Sequence, residues 1–258
     1  MVKNPTRRNR NIGTKKQGHG KGNSLVIPDR LDGTYWLNSI GECEVEDRQI
    51  AGRNVRFIVE SNQIGCIHPC TVSDVAFVLA NLPQSDWAGL QTIVFRLPTR
   101  KQLTLSPVWG RLLYYAEVTT ERGKPLAKGP AIFLEAVDVG REITWSTSLD
   151  PDDFAELERL KSDGHSVQRF GRKHIIALSR ESARNTQLYR TFLHEVGHWF
   201  DWLSKVEEPS MKGKNFERLE NDYFARAKAE RKAFAHRYAD RQYSRLRDSA
   251  KIPFELLT

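Results

Sequence analysis

The sequence predicts an α+β fold, and three observations carry that expectation. Between Leu25 and Gly171, short β-rich runs alternate with helical pieces; a stripe of apolar residues at helical spacing follows over Thr186–Lys205; and Phe216–Arg247 contains neither Gly nor Pro. In the first part, Val55–Glu60, Thr92–Leu97, Leu112–Val118, Ala131–Val137 and Glu142–Ser146 are rich in β-branched, aliphatic and aromatic residues, most of them flanked by turn formers. Ser73–Leu82 reads as a helix with Ser73 or Thr71 near its cap and Pro83 past its end. Pro151–Leu160 reads as a second, with Asp152, Asp153 and Glu156 near its positive N-terminus. Lys173–Ser179 reads as a strand, and no internal repeat is present. Phe216–Arg247, rich in Ala, Glu, Lys and Arg, predicts one long C-terminal helix.

The most informative segment is His194-Glu195-Val196-Gly197-His198. On a helix the two histidines lie one turn apart on one face, close enough to share a metal ion. Neutral imidazole is a good Zn²⁺ ligand, and a carboxylate beside the first His can act as general base toward a water on that metal. The context is helical: Leu188, Phe192, Val196, Trp199 and Leu203 recur at three- and four-residue steps. His194, His198 and Asp201 fall on the adjoining face. Asn185 or Ser182 is placed to cap the start.

This pentapeptide resembles that of the zincin metallopeptidases, and His-Glu-x-Gly-His followed by Asp201 is similar to lethal-factor-like and ImmA-like members. The resemblance covers about residues 172–240. It implies a zincin-like mixed sheet in which the strand before the motif helix, here Lys173–Ser179, forms the sheet edge and receives an extended substrate by backbone pairing. It also implies that Gly197 lets backbone pack closely beneath the metal.

A catalytic zinc needs a third protein ligand. On a continuous helix over Phe216–Arg247, the apolar stripe runs through Phe216, Leu219, Tyr223, Ala227, Phe234 and Tyr238, and Glu230 lies within about 40° of its centre. Glu230-Arg231-Lys232-Ala233 also resembles the Glu-x-x-Ala segment that supplies the glutamate ligand in ImmA-like gluzincins, although Phe234 stands where Asp is frequent there. Asp201 is the candidate to replace that Asp in supporting a ligand His. His236 becomes the third ligand if the helix breaks or rotates. Asp222, in a segment similar to the Glu-x-Phe-Ala of lethal-factor-like enzymes, ranks after it.

These residues predict a zinc-dependent, peptidase-like hydrolase acting on a protein or peptide. His194, His198 and Glu230 hold Zn²⁺, Glu195 is the base, and Tyr223, Tyr238 or His236 is the further donor to the oxyanion. The alternative from another class is a non-catalytic zincin-like regulatory or nucleic-acid-binding protein. Against it stands Glu195, which a purely structural metal site does not need. A third option is an autoinhibited enzyme whose first 170 or so residues select substrate or partner.

Composition bounds the rest. With 258 residues and 39% hydrophobic content, the chain is long enough to bury a proper core. The expected division is a disordered basic tail over 1–23, an α+β part over 24–171, and a zinc-binding helical part over 172–250, the latter two forming one compact unit. Of the net charge of +8, residues 1–23 carry +7, with no acid and no aromatic residue. Such a tail grips an acidic partner or nucleic acid by electrostatics, or serves only as a solubilising end. Residues 211–258 add twelve Lys/Arg against seven Asp/Glu, the mixed pattern of a solvated helix face. No run approaches a membrane span and no apolar signal core opens the chain, so cytoplasmic residence without membrane contact is the expectation. Three cysteines suit a reducing compartment. Cys66, His68 and Cys70, with Cys43, are a candidate second metal site whose spacing matches no common zinc module.

Overall fold

The computed structural model describes residues 39–98 and 109–257; the basic segment 1–23 lies outside the described residues. The chain forms strands β1 (Ser39–Ile40), β2 (Cys43–Ile50), β3 (Arg53–Glu60), β4 (Cys66–Ile67), β5 (Thr92–Arg96), β6 (Gly110–Thr120), β7 (Pro125–Glu135), β8 (Val137–Asp138), β9 (Ile143–Ser146), β10 (Ser166–Phe170) and β11 (Lys173–Ala177). Its α-helices are α1 (Val72–Ala80), α2 (Pro151–Ser162), α3 (Arg180–Arg184), α4 (Phe192–Trp202), α5 (Glu208–Met211), α6 (Phe216–Ala225) and α7 (Lys228–Asp248).

Six strands make a mixed sheet in the order β1-β6-β7-β5-β3-β2, in which β5 runs parallel to both β3 and β7 while β2–β3 and β6–β7 are antiparallel. Every residue of β5 is buried, as expected of a central strand covered on both faces. The β2–β3 hairpin closes through Ala51 and Gly52, both at positive φ (49° and 80°), the handedness that matches strand twist in a two-residue turn. The sequence gives no sign of β2, because its side chains are mostly charged and exposed and it presents no apolar run.

One face of this sheet carries Val55, Phe57, Ile93, Phe95, Ile132 and Leu134, and these share a single buried cluster with Val196 and Trp199 of α4 and Tyr238 and Ala239 of α7. The core therefore joins residues of the 24–171 part to those of the 172–250 part. Past residue 250 the chain is still anchored: Leu257 N–H donates to Asp74 and its carbonyl accepts from Thr71, while Arg184 donates to the Phe254 carbonyl. Asp74 is fully buried, closes the capping box of α1 with Thr71, and holds Arg184 through two hydrogen bonds.

A second, three-stranded sheet has the order β10-β11-β9 and packs with α2 around Leu157, Leu160 and Ile176. This corrects one expectation. The strand before the motif helix, β11, is the middle strand of its small sheet, paired along both sides, so it is no edge for an incoming peptide. Its neighbour β10 is short and mostly exposed, with Val167 its one partly buried side chain, and for that reason is not evident in the sequence.

Helical structure runs without a break from residue 180 to 211, through α3, a π-helical stretch at Asn185–Thr191, α4, a second at Leu203–Glu207, and α5. Its cap is Ser179, in a reciprocal pair with Ser182, rather than Ser182 or Asn185 themselves. The predicted continuous helix over Phe216–Arg247 is two helices. Arg226 leaves helical geometry (φ −62°, ψ 144°), and α7 starts afresh at Lys228. No helix among the described residues is long and apolar enough to cross a membrane.

Candidate functional site

The apolar stripe fixes how α4 is rotated. Leu188, Phe192, Val196, Trp199 and Leu203 are all buried, and Trp199 Nε1 donates to the Ala88 carbonyl at 2.9 Å. With that face committed to the core, His194, Glu195 and His198 line a cleft of about 340 Å³. The facing wall is β6, through Arg111, Leu112 and Tyr114.

Gly197 sets the approach of the second helix. A Cβ built there would stand 3.0 Å from Tyr238 and 3.1 Å from the Ala235 Cα, so only glycine lets α7 cross this close. The crossing brings His236 to His194, with ring centres 4.3 Å apart, while His194 and His198 are 4.6 Å apart and nearly perpendicular. His236 does not line the cleft; it meets the pair from the α7 side.

The break between α6 and α7 explains why His236 holds this place and Glu230 does not. Asp201 is wholly buried, and its Oδ2 accepts from Arg226 Nη1 at 2.7 Å while Lys205 Nζ lies 2.9 Å from its Oδ1. Arg226 is thereby pinned at the corner and turns its remaining N–H groups to Glu230, at 2.8 and 3.0 Å. Glu230 sits 59% exposed in that ion pair and takes no part in lining the cleft. Asp222 is more exposed still, beside Arg218. Asp201 secures the α6–α7 corner instead of accepting a hydrogen bond from a histidine.

Burial dominates the electrostatics. It lowers the His194 pKa to about 2 and that of His198 to about 4, with neighbouring imidazoles adding to the effect, and it lowers His236 too. All three rings are neutral donors at physiological pH, and His194 Nδ1 is buried without a hydrogen-bond partner. Glu195 moves the other way, up to about 7, because burial outweighs the hydrogen bond from Leu112 N–H (2.8 Å to Oε2) and the charge of Arg111. Such a carboxyl exchanges a proton easily near neutrality.

Neutral imidazoles are the donor chemistry that zinc takes. In their present rotamers, no group of three or more His, Cys, Asp or Glu side chains among the described residues is disposed to hold a metal ion. The three neutral imidazoles are thus a donor type that zinc takes, while their arrangement here is not that of a metal site. The same holds against a second site in the N-terminal half: Cys70 Sγ donates to Gln187, His68 Nε2 is 2.8 Å from the Glu60 carbonyl, and burial raises all three thiols.

Of the expected oxyanion donors, Tyr238 gives its hydroxyl to Asp86 at 2.9 Å. Tyr223 is buried with its hydroxyl 3.1 Å from that of Tyr114, and it is Tyr114 that reaches the cleft. Arg111, Leu112 and Tyr114 are not recognisable as site residues from the sequence. They lie about eighty residues before the motif in a run whose only signal is that of a strand.

The histidines make the metal-free protein acid-sensitive. Burial lowers His68, His165, His194, His198 and His236, so each folds neutral, whereas in the unfolded chain each takes a proton below about pH 6.5. Stability is therefore lost as pH falls below that value, by at most about 1.4 kcal/mol per pH unit for each of His194 and His198. Glu195 and Glu60, both raised by burial, oppose this because they gain a proton on folding. Urea denaturation in the presence of a chelator should give a lower midpoint at pH 5 than at pH 7. A flat or rising midpoint on acidification would count against the buried, neutral cluster.

Compared with protein-family models, with curated proteins and with solved structures, the chain matches none.

Proposed function

We propose that the protein is a zinc-dependent hydrolase of the peptidase type, with His194, His198 and His236 as the ligands and Glu195 as the general base. The single observation that carries this reading is the convergence of three neutral imidazoles, from α4 and α7, beside a buried carboxyl that opens on a cleft. The resemblance of the His194–His198 pentapeptide to zincins supports it, with His236 in the place where the sequence favoured Glu230.

Bound there, zinc supplies Lewis acidity toward a water and a carbonyl oxygen. Glu195 then takes a proton from the attacking water at its free carboxylate oxygen, while Leu112 N–H keeps the other oxygen fixed. The same carboxyl then hands that proton on to the leaving amine. Tyr114, braced by Tyr223, offers its hydroxyl to the developing negative charge. Between Arg111 and Leu113, β6 pairs with β7 on one side, with a register shift over Tyr114 and Tyr115, and apart from the Leu112 N–H held by Glu195 its other side carries no strand among the described residues, since β1 reaches only Thr119 and Thr120. This is the edge against which an extended substrate would lie, in place of β11.

Metal content tests the proposal. Wild type should carry about one zinc per chain, lost in His198→Ala and His236→Ala and kept in Glu230→Ala. Wild type without zinc would overturn the reading. Zinc lost in Glu230→Ala but kept in His236→Ala would return the third ligand to Glu230 and require the Arg226 ion pair to open.

A further inference from the structure

Positive charge enters the cleft from two directions. β6 contributes Arg111, and the first two turns of α7 contribute Lys228, Arg231 and Lys232. Glu195 is the only acid among the described residues that line it, and its buried carboxyl is already engaged by Leu112. Lys228 and Lys232 are exposed, and neither has a carboxylate within ion-pair distance among the described residues. α7 adds the positive end of its dipole: its N-cap, Ala227, has no side chain able to cap, and its first residue, Lys228, lines the cleft.

A second observation is independent of net charge. The Nε–H groups of Arg111 and Arg231 are both buried without a hydrogen-bond partner. Arg111 spends Nη2 on Glu135, and Arg231 lies against the rings of Tyr223 and Phe224, so each guanidinium is held in place with a donor unspent. Both residues line the cleft, so their positive charge is fixed there by Glu135 on one side and by the aromatic pair on the other.

We infer that the cleft recognises a polypeptide segment carrying carboxylate side chains close to the position over Glu195. As a substrate class this rests on the hydrolase reading; as a binding preference it does not. A polypeptide is favoured over a nucleic acid because the outer side of β6 offers backbone pairing, whereas Tyr114 is the only Phe, Tyr or Trp ring in the lining and is itself packed against Trp202 and Tyr223. Single strands need successive stacking platforms, which are missing here.

The experiment uses the full chain carrying Glu195→Gln, so that bound peptide stays intact, and fluorescent peptides identical except for Glu/Asp, Gln/Asn or Lys/Arg at the flanking positions. Anisotropy at low salt should show the acidic peptide binding about tenfold more tightly than its amide counterpart, with the gap shrinking at high salt. Adding Lys228→Gln and Lys232→Gln, both at exposed positions, should remove most of the gap without altering the thermal midpoint. Equal binding of acidic and neutral peptides overturns the inference. So does a gap that survives the double substitution, which would assign it to charges elsewhere such as residues 1–23, or a single-stranded oligonucleotide that displaces the acidic peptide from the cleft. Repeating the titration on zinc-stripped protein separates the two readings. A charge preference without any zinc binding would sink the hydrolase alone; zinc binding and hydrolysis by the wild-type chain, without charge preference in the variant, would sink this inference alone.

Discussion

Glu195→Gln should reduce peptide hydrolysis by about 10²–10⁴-fold while leaving zinc content unchanged. Gln has the same shape, and its carbonyl oxygen can still accept the Leu112 N–H bond, so the cleft keeps its wall and loses only the proton carrier. The same substitution carries the stability signature of a buried carboxyl, which checks the environment of Glu195 separately from its chemistry. Glu195 has a folded pKa of about 7 against an ordinary value of 4.5, so it folds most favourably when protonated, and that stability is lost as pH rises from 4.5 through 7. In zinc-stripped protein the amide should therefore be the more stable form at pH 8, by on the order of 3 kcal/mol, with the difference vanishing below pH 4.5. Peptide turnover, zinc content and denaturation at two pH values test this together. Turnover within a few fold of wild type would remove Glu195 from the chemistry.

The second large effect is expected far from the reacting atoms. Asp201→Ala should destabilise the fold by about 3 kcal/mol, because it strands Arg226 and Lys205 around a fully buried position. This is below what a wholly buried pair would cost, since Lys205 is 44% exposed and can turn to solvent. Arg226 is also the residue at which the chain turns from α6 into α7. Its release should loosen the start of α7 and weaken zinc binding, although Asp201 makes no hydrogen bond or ion pair with the three histidines and reaches His198 only through its charge. Asp201→Asn, which keeps an acceptor for Arg226, should recover part of both losses. Denaturation and zinc titration of the two variants check it; an alanine variant as stable as wild type would show that the corner is held by something else.

How much of the molecule is legible in its sequence depends on where each signal resides. The motif helix is readable because its stripe and its histidines are local, periodic features, and the structure buries every residue of that stripe. Strands with apolar runs are readable for the same reason, β5 most clearly. β2 and β10 are not, because exposed strands have no need of apolar side chains. The break at Arg226 is invisible: nothing in the local composition stops a helix there, and the contact associated with it is an ion pair to a residue twenty-five positions away. That one tertiary contact separates Glu230, which propensity and pattern both favour, from His236, whose place in the site is conditional on such a break. The β6 wall is hidden by distance along the chain, its key contact spanning 83 positions.

That last distance has a consequence for how the site comes into being. Glu195 is anchored by a strand 83 residues earlier, and the Tyr238 side of the helix crossing is tied to Asp86 across 152 residues. Contacts of such long sequence separation form only after the chain has closed large loops, so they belong to slow, late steps of folding. A fragment carrying the motif helix and its successor would hold all three histidines and yet lack the donor that orients the carboxyl, the wall of the cleft and the turn that seats α7. The assembled cleft is thus a property of the whole topology, and a nascent or partly unfolded chain does not possess it.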